Sequence, residues 1–247
     1  MKILLTNDDG IMSEGLQVLV SVLEKEHEVW VVAPDRNRSA VSHSILMDIP
    51  LKIKKKAKRQ YACSGVPVDC VVHGLRAILK GNPDCIISGI NHGANLGTDI
   101  LFSGTAAAAR QGALYGIPSI ALSLQSETGT YDFRHLADFV LKHLENILKL
   151  SERDVFVNIN AMSPGPYERC VLTKPSRRTY NDGTEHFIAP DGQHYAFFKG
   201  GSIDTEDCEM GDYQALVRGD ISLSRIHAQP LGLHFDEELW EALCIKP

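Results

Sequence analysis

The chain begins M-K-I-L-L-T-N-D-D-G, residues 1–10, and the junction inside that stretch decides how the rest is read. Lys2–Thr6 is a short apolar run, the pattern of a strand covered on both faces. Asn7-Asp8-Asp9-Gly10 then turns the chain polar within one step. Adjacent carboxylates repel, so the pair Asp8-Asp9 needs water, a cation or a structural partner.

Working outward, residues 14–25 carry Leu16, Leu19, Val20 and Leu23 at helical spacing, with Ser13 placed as N-cap. Residues 28–33 predict the next strand, closed by Pro34. A helix over 67–79 with proline near its start follows, then a strand over 84–88. A small-residue helix over 105–115, a strand over 119–124, a helix over 134–150 and a strand over 155–158 complete the alternation. The predicted fold class is α/β, a mainly parallel sheet with helices on both faces. Beyond about residue 161 prolines become frequent and turn pairs such as Asp182-Gly183 and Asp191-Gly192 appear. Strands over 171–173 and 194–198, segments 212–218 and 220–226, and a short helix near 236–242 are expected there. The division is a core over 1–160 and an irregular, β-rich C-terminal extension over 161–247, used for subunit and pocket contacts. Lys52, Lys54, Lys55, Lys56, Lys58 and Arg59 form one charge run, read as a lysine-guarded edge strand or as a polyanion patch.

A chain of 247 residues can bury a sizeable core. Its formal net charge of -6 does not favour nucleic acid, so no stable complex with it is expected. No apolar run is long enough to cross a bilayer, and Met1 leads into no signal-peptide core, which predicts a cytoplasmic protein without membrane association. The six cysteines are scattered with no C-x-x-C pair, so they are read as reduced packing residues rather than zinc ligands.

Ligands of open α/β sheets bind beyond the carboxyl ends of the strands. Four polar clusters fall at such ends: residues 7–10, residues 35–39, residues 89–95, and Ser103-Gly104-Thr105 soon after. Two carboxylates with neighbouring hydroxyls and amides suit a hard divalent cation such as Mg²⁺ or Mn²⁺. The alternative is that one aspartate caps the following helix while the other is solvated. Ser103, Thr105 and the backbone ahead of Ala106–Ala109 offer an anion site, or an ordinary N-cap before a closely packed helix. A cation beside a phosphate implies phosphoryl transfer, with water or the Asp8 carboxylate as nucleophile. His43 and His92 flank two of the loops as supporting acid–base or structural groups.

Taken together, N-D-D-G at 7–10, V-A-P-D-R-N-R-S at 32–39, S-G-I-N-H-G-A-N-L-G at 88–97 and S-G-T at 103–105 closely resemble the SurE survival-protein family. G-V-P-V-D-C-V at 65–71 is similar to that family's G-T-P-A-D-C-V, with Val66 and Val68 in place of small residues. The match is dense over roughly the first 125 residues and thinner afterwards, where Ser176-Arg177-Arg178 and Tyr180-Asn181-Asp182 also fit. The resemblance implies a Rossmann-like core and a homodimer or homotetramer built through the extension. It implies a metal-dependent 5′-nucleotidase acting on nucleoside 5′-monophosphates, with 3′-monophosphates and short polyphosphate as further substrates. Carried onto this chain, it implies Asp8, Asp9, Ser39 and Asn91 as metal ligands and Asn95, Ser103, Gly104 and Thr105 as the phosphate site. The resemblance also implies Asp8 and Asp9 as the catalytic residues, with Asp8 the one for direct participation. The haloacid-dehalogenase pattern D-x-D, the P-loop and G-x-G-x-x-G are all missing from this sequence. The competing class is a nucleotide-binding regulator without turnover.

Overall fold

The computed structural model describes residues 1–231. The helix expected near 236–242 and Cys244 lie outside the described residues. The elements in chain order are β1 (Lys2–Thr6), α1 (Glu14–Leu23), β2 (Glu28–Pro34), β3 (Ile53–Ala57), β4 (Gln60–Cys63), α2 (Pro67–His73), β5 (Cys85–His92), α3 (Gly104–Leu114), β6 (Ser119–Ser126), α4 (Arg134–Leu148) and β7 (Val155–Ser163). They continue with β8 (Cys170–Thr173), β9 (Arg178–Tyr180), β10 (Gly183–Ile188), β11 (His194–Lys199), β12 (Ile203–Thr205), α5 (Asp212–Val217) and β13 (Ile221–His227).

The described residues form a nine-stranded sheet in the order β3-β4-β2-β1-β5-β6-β7-β13-β8. β1 lies inside it, parallel to β2 on one side and β5 on the other. Its side chains divide with the period of two that a strand imposes. Ile3 and Leu5 enter a core with Leu16 and Leu19 of α1 and Val140 and Leu144 of α4. Leu4 points to the opposite face, among Cys70 and Val71 of α2 and Ala108 of α3. Ile3, Leu4 and Leu5 are each fully buried, which is why the run shows no polar alternation.

The chain adds β2 and β4 on one side of β1, then crosses to lay down β5, β6 and β7 on the other. The switch point is therefore the gap between β1 and β5, where open α/β sheets take their ligands. The expected parallel α/β core is present, and the β-rich extension follows it. β13 runs antiparallel to β7, and β8 parallel to β13. β9 pairs with β12, and β10 with β11 in a hairpin that turns at the anticipated Asp191-Gly192. Segment 212–217 is a helix and 221–227 a sheet strand. The lysine run forms β3, an antiparallel edge strand with Lys54, Lys55 and Lys56 exposed.

Three local expectations change. Helical structure after Pro67 keeps α-geometry only to His73 and widens to a π-type turn over Gly74–Ile78. Ser13 sits at the N-cap of α1, but its hydroxyl accepts a hydrogen bond from Asn7 Nδ2 at 2.7 Å and caps no helix N–H. The buried Asn7 amide needs that acceptor, and its demand prevails over capping. β5 runs on past Ser88 to His92 through a register shift between Ser88 and Asn91. Gly89 makes this shift with φ +131°, and a Cβ there would lie 2.3 Å from Leu122 O. The shift carries Asn91 outward to the strand ends.

Gly89→Ala is therefore expected to cost about 2–4 kcal/mol from backbone strain and collision. Thermal melting should show a midpoint lower by about 5–15 °C. Gly129→Ala serves as control: its φ is +77° but no atom lies within 4 Å of the added carbon, so only the left-handed strain of about 1–2 kcal/mol applies.

Candidate functional site

Asp8 leaves the end of β1 and is 4 % exposed. Its carboxylate is gripped by the first turn of α3. Thr105 Oγ1 donates to Asp8 Oδ1 at 2.6 Å, and the Thr105 N–H donates to Asp8 Oδ2 at 3.2 Å. Ser103 caps the same helix, accepting from the Ala106 N–H at 3.0 Å. The Ser103 cap is therefore present, whereas the aspartate does not cap the helix that follows it in sequence: Asp8 is drawn instead to the first turn of α3, and Asp9 to His92. Gly104 makes the approach possible, since a Cβ there would lie 2.9 Å from Asp8 Cβ and 3.1 Å from Pro67 Cγ. The Arg38 N–H donates to the Asp8 carbonyl at 2.7 Å and hangs the Ser39 loop on the same residue.

Burial pushes the Asp8 carboxyl up to about 6; the Thr105 hydroxyl opposes this, and the neighbouring Asp9 charge adds to it. Asp9 Oδ2 accepts from the His92 backbone N–H at 3.2 Å and lies 3.3 Å from His92 Nδ1. The His92 ring is held edge-on by Phe133 and Tyr131, at 4.8 and 5.0 Å between centroids. Ser39 donates through its N–H and hydroxyl to Asn37 Oδ1, each at 2.7 Å, so its hydroxyl lone pairs face outward. Asn91 Nδ2 donates to the Gly93 carbonyl at 2.9 Å, which leaves Oδ1 as its acceptor end. Asp8, Ser39, Asn91, Asn95 and Ser103 line one cleft of about 890 Å³.

A divalent cation fits this set. Asp8 is a buried carboxylate whose hydrogen-bond donors are both neutral groups of Thr105, and beside it stands a second carboxylate. The remaining donors are a hydroxyl and an amide oxygen, so every ligand offered is oxygen, as Mg²⁺ or Mn²⁺ requires. Among the described residues no group of three or more His, Cys, Asp or Glu side chains is poised for a metal.

Asn95 is held by groups that sequence reading passed over. Its N–H donates to Asn160 Oδ1 at 2.8 Å, and its carbonyl accepts from Asn158 Nδ2 and Asn160 Nδ2 at 2.9 and 3.0 Å. Its own Nδ2 donates to Ser123 Oγ at 2.8 Å. A signal was available: Asn158 and Asn160 are polar residues two apart in an otherwise apolar strand, hence on one face. Of the two histidines, His92 joins the site through Asp9. His43 does not line the cleft; its Nε2 donates to Gln111 Oε1 at 2.8 Å on α3, and burial holds its pKa below the usual value, keeping it neutral. The cleft's other wall is Phe102 with Arg178, Tyr180, Phe198, Ile203 and Tyr213 of the extension, for which sequence reading assigned no role.

Comparison with known proteins adds lineage to this geometry. The profile of the family described as "Survival protein SurE" matches residues 3–182. The chain is 38% identical over 231 residues to a protein of Pelobacter propionicus named 5′-nucleotidase SurE, covering 92% of this chain and 93% of that one. It is 41% identical over 234 residues to a Thermosipho melanesiensis protein of the same name, covering 92% and 91%. The crystal structure of the Sure protein from Aquifex aeolicus superposes with a TM-score of 0.78 at 31% identity, covering 98% of each chain.

Two measurements test the Asp8 geometry. In metal-free protein a carboxyl raised to about 6 is harmless while protonated, below about pH 4. As pH climbs through 6 the folded state must ionise it in a buried place, so about 3 kcal/mol of stability is lost by pH 7. Asp8→Asn removes that loss: denaturant melts in chelator should find the variant more stable than wild type at pH 7.5 and equal to it near pH 4. Gly104→Ala should fold yet lose about a hundredfold in turnover, because it displaces Asp8 from Thr105.

Proposed function

The chain belongs to the SurE survival-protein family, and on that footing we propose that it is a divalent-cation-dependent 5′-nucleotidase. The observation that carries the reading is the Asp8 carboxylate, buried against the first turn of α3 with no cationic partner among the described residues. Asp8, Asp9, Ser39 and Asn91 would hold one Mg²⁺ or Mn²⁺. When bound, the cation supplies Lewis-acid stabilisation of charge on the phosphoryl oxygens. Asn95, Ser103, Gly104 and Thr105 form the phosphate side, where Ser103 Oγ and the start of α3 favour an anion. Hydrolysis adds water to phosphorus and breaks the bond to O5′, releasing nucleoside and phosphate. Both oxygens of Asp8 already accept from Thr105, which favours water over Asp8 as the nucleophile. His92 orients Asp9 at the cleft mouth.

The aromatic wall of Phe102, Tyr180 and Phe198 suits a nucleoside, whose base has a π-face to stack. Residues 161–247 are the extension to the 1–160 core, and Tyr180 and Phe198 of this wall come from it. Nucleoside 3′-monophosphates and short polyphosphate belong to the same reading as secondary substrates. Phe187 stacks on Tyr195 and Phe197 on one exposed face of the β10–β11 hairpin, which a second copy would cover in a homodimer or homotetramer. The described cysteines are free thiols, consistent with a cytoplasmic setting. No helix among the described residues is long and apolar enough to cross a membrane.

The test is phosphate release from a panel of nucleoside 5′- and 3′-monophosphates and tripolyphosphate, with Mg²⁺, with Mn²⁺ and with chelator. Wild type should release phosphate only with a cation. Asp8→Asn and Asn91→Ala should each lose about 10²–10³ in turnover. Nucleotide binding without release under any cation would replace the enzyme by a sensor, and an unchanged Asn91→Ala would remove Asn91 from the ligand set.

A further inference from the structure

The segment that leads into the phosphate site is tied to the core at its end, where Ser42 and Arg110 donate to the carbonyls of residues 100–102, and to the extension over residues 97–99. Residues Gly97–Leu101 form a short 3₁₀ turn that ends two residues before Ser103. The carbonyl of Asp99 in that turn accepts from the N–H groups of Phe102 and Ser103, at 2.9 and 3.0 Å. The Asp99 carboxylate accepts from the Leu96 N–H at 3.1 Å, from Arg178 Nη1 and from the Tyr180 hydroxyl. Asp99 thus ties the two ends of the turn together, and two residues of β9 hold Asp99. Its side chain and that of Arg178 are each only 12% exposed, so this charged pair is largely shielded from solvent.

Two further ties run the same way. The Arg178 N–H donates to Thr98 Oγ1 at 2.9 Å. Asp212, fully buried at the start of α5, accepts from the Gly97 N–H at 2.7 Å and from the Ser176 N–H at 2.9 Å. Gly97 lies so close to this strut that a Cβ would stand 1.6 Å from Ser176 O. Three consecutive residues, 97 to 99, are therefore each hydrogen-bonded to the extension, Gly97 as donor and Thr98 and Asp99 as acceptors. The arrangement exceeds what covering an apolar surface would need.

We propose that Arg178, Tyr180 and Asp212 are positioning residues for phosphoryl transfer: through Asp99 and Gly97 they set where Asn95 and Ser103–Thr105 stand. The inference rests on the reading that these residues bind the phosphate. The Arg178 guanidinium and the Tyr180 hydroxyl, as distinct from the Tyr180 ring on the cleft wall, act on every phosphomonoester alike, because what they place is the phosphate loop and not the leaving group. A misplacement of about 1 Å in such a loop costs up to about a hundredfold in rate.

The experiment uses the full chain with Mg²⁺ and the variants Arg178→Gln, Tyr180→Phe and Asp99→Asn. It reads kcat and KM for a nucleoside 5′-monophosphate and for p-nitrophenyl phosphate, the inhibition constant of inorganic phosphate, and thermal midpoints. The expected result is a loss of about tenfold or more in kcat/KM, equal for both esters, with phosphate inhibiting more weakly by a similar factor. The double variant Asp99→Asn/Tyr180→Phe should lose no more than the worse single variant, since both break one network. Tyr180→Phe removes one hydroxyl and keeps the ring, so it remains informative if Arg178→Gln folds poorly. A loss confined to the nucleotide would mean direct contact with the nucleoside and would overturn the proposal, as would a lowered midpoint with unchanged kinetics. Ser103→Ala is measured alongside. If it alters phosphate inhibition while the β9 variants do not, this proposal alone fails; if it changes nothing, the phosphate-site reading fails and this proposal with it.

Discussion

The structure depends on one buried contact, the Asp8 carboxylate against the first turn of α3. A carboxylate that is 4 % exposed is tolerable only with hydrogen bonds or a cation. Thr105 supplies two hydrogen bonds from a helix start, where partial positive charge also favours an anion. The contact joins residues 97 positions apart. It requires glycine at 104, where a Cβ would press on both Asp8 and Pro67, and a small-residue helix follows. The start of α3 thereby has two tasks at once, holding Asp8 through Thr105 and presenting the capping residue Ser103 to the cleft.

Around that contact the sheet supplies direction and the extension supplies closure. The gap between β1 and β5 is the switch point, so polar residues at both strand ends project into one place. The register shift at Gly89 pushes Asn91 far enough out to face the cleft beside Asp8. From the opposite side, β9 and α5 brace residues 97–99 through Arg178, Tyr180 and Asp212. In the proposed reading the parallel sheet supplies the cation ligands, and a loop hydrogen-bonded to the later part of the chain leads into the phosphate side.

The outcome of reading the sequence differs by level. Strands β1, β2 and β6 and helices α1, α3 and α4 were legible because burial on both sheet faces, or on one helix face, leaves a period in the residues themselves. The polar clusters at the strand ends were legible because carboxylates, amides and glycines seldom interrupt such a pattern without cause. Of the two roles open to His43, acid–base or structural, the structure shows a half-buried ring bonded to Gln111, away from the cleft lining. Ser13 looked like a cap because local pattern knows nothing of Asn7's need for an acceptor. The widened turn after His73 left no mark in the hydrophobic period.

By itself the sequence determined the α/β class, the order of elements in the core and the set of oxygen-bearing side chains at the strand ends. Each of these is written in spacing along the chain, where neighbours in sequence are neighbours in space. Tertiary structure alone decided that Asp8 pairs with Thr105, that Asn158 and Asn160 hold Asn95, and that Arg178 and Tyr180 close on Asp99. These partners lie 63 to 97 residues apart. No periodicity links them, because their meeting is set by how the sheet crosses over at β5 and how the extension returns across its strand ends.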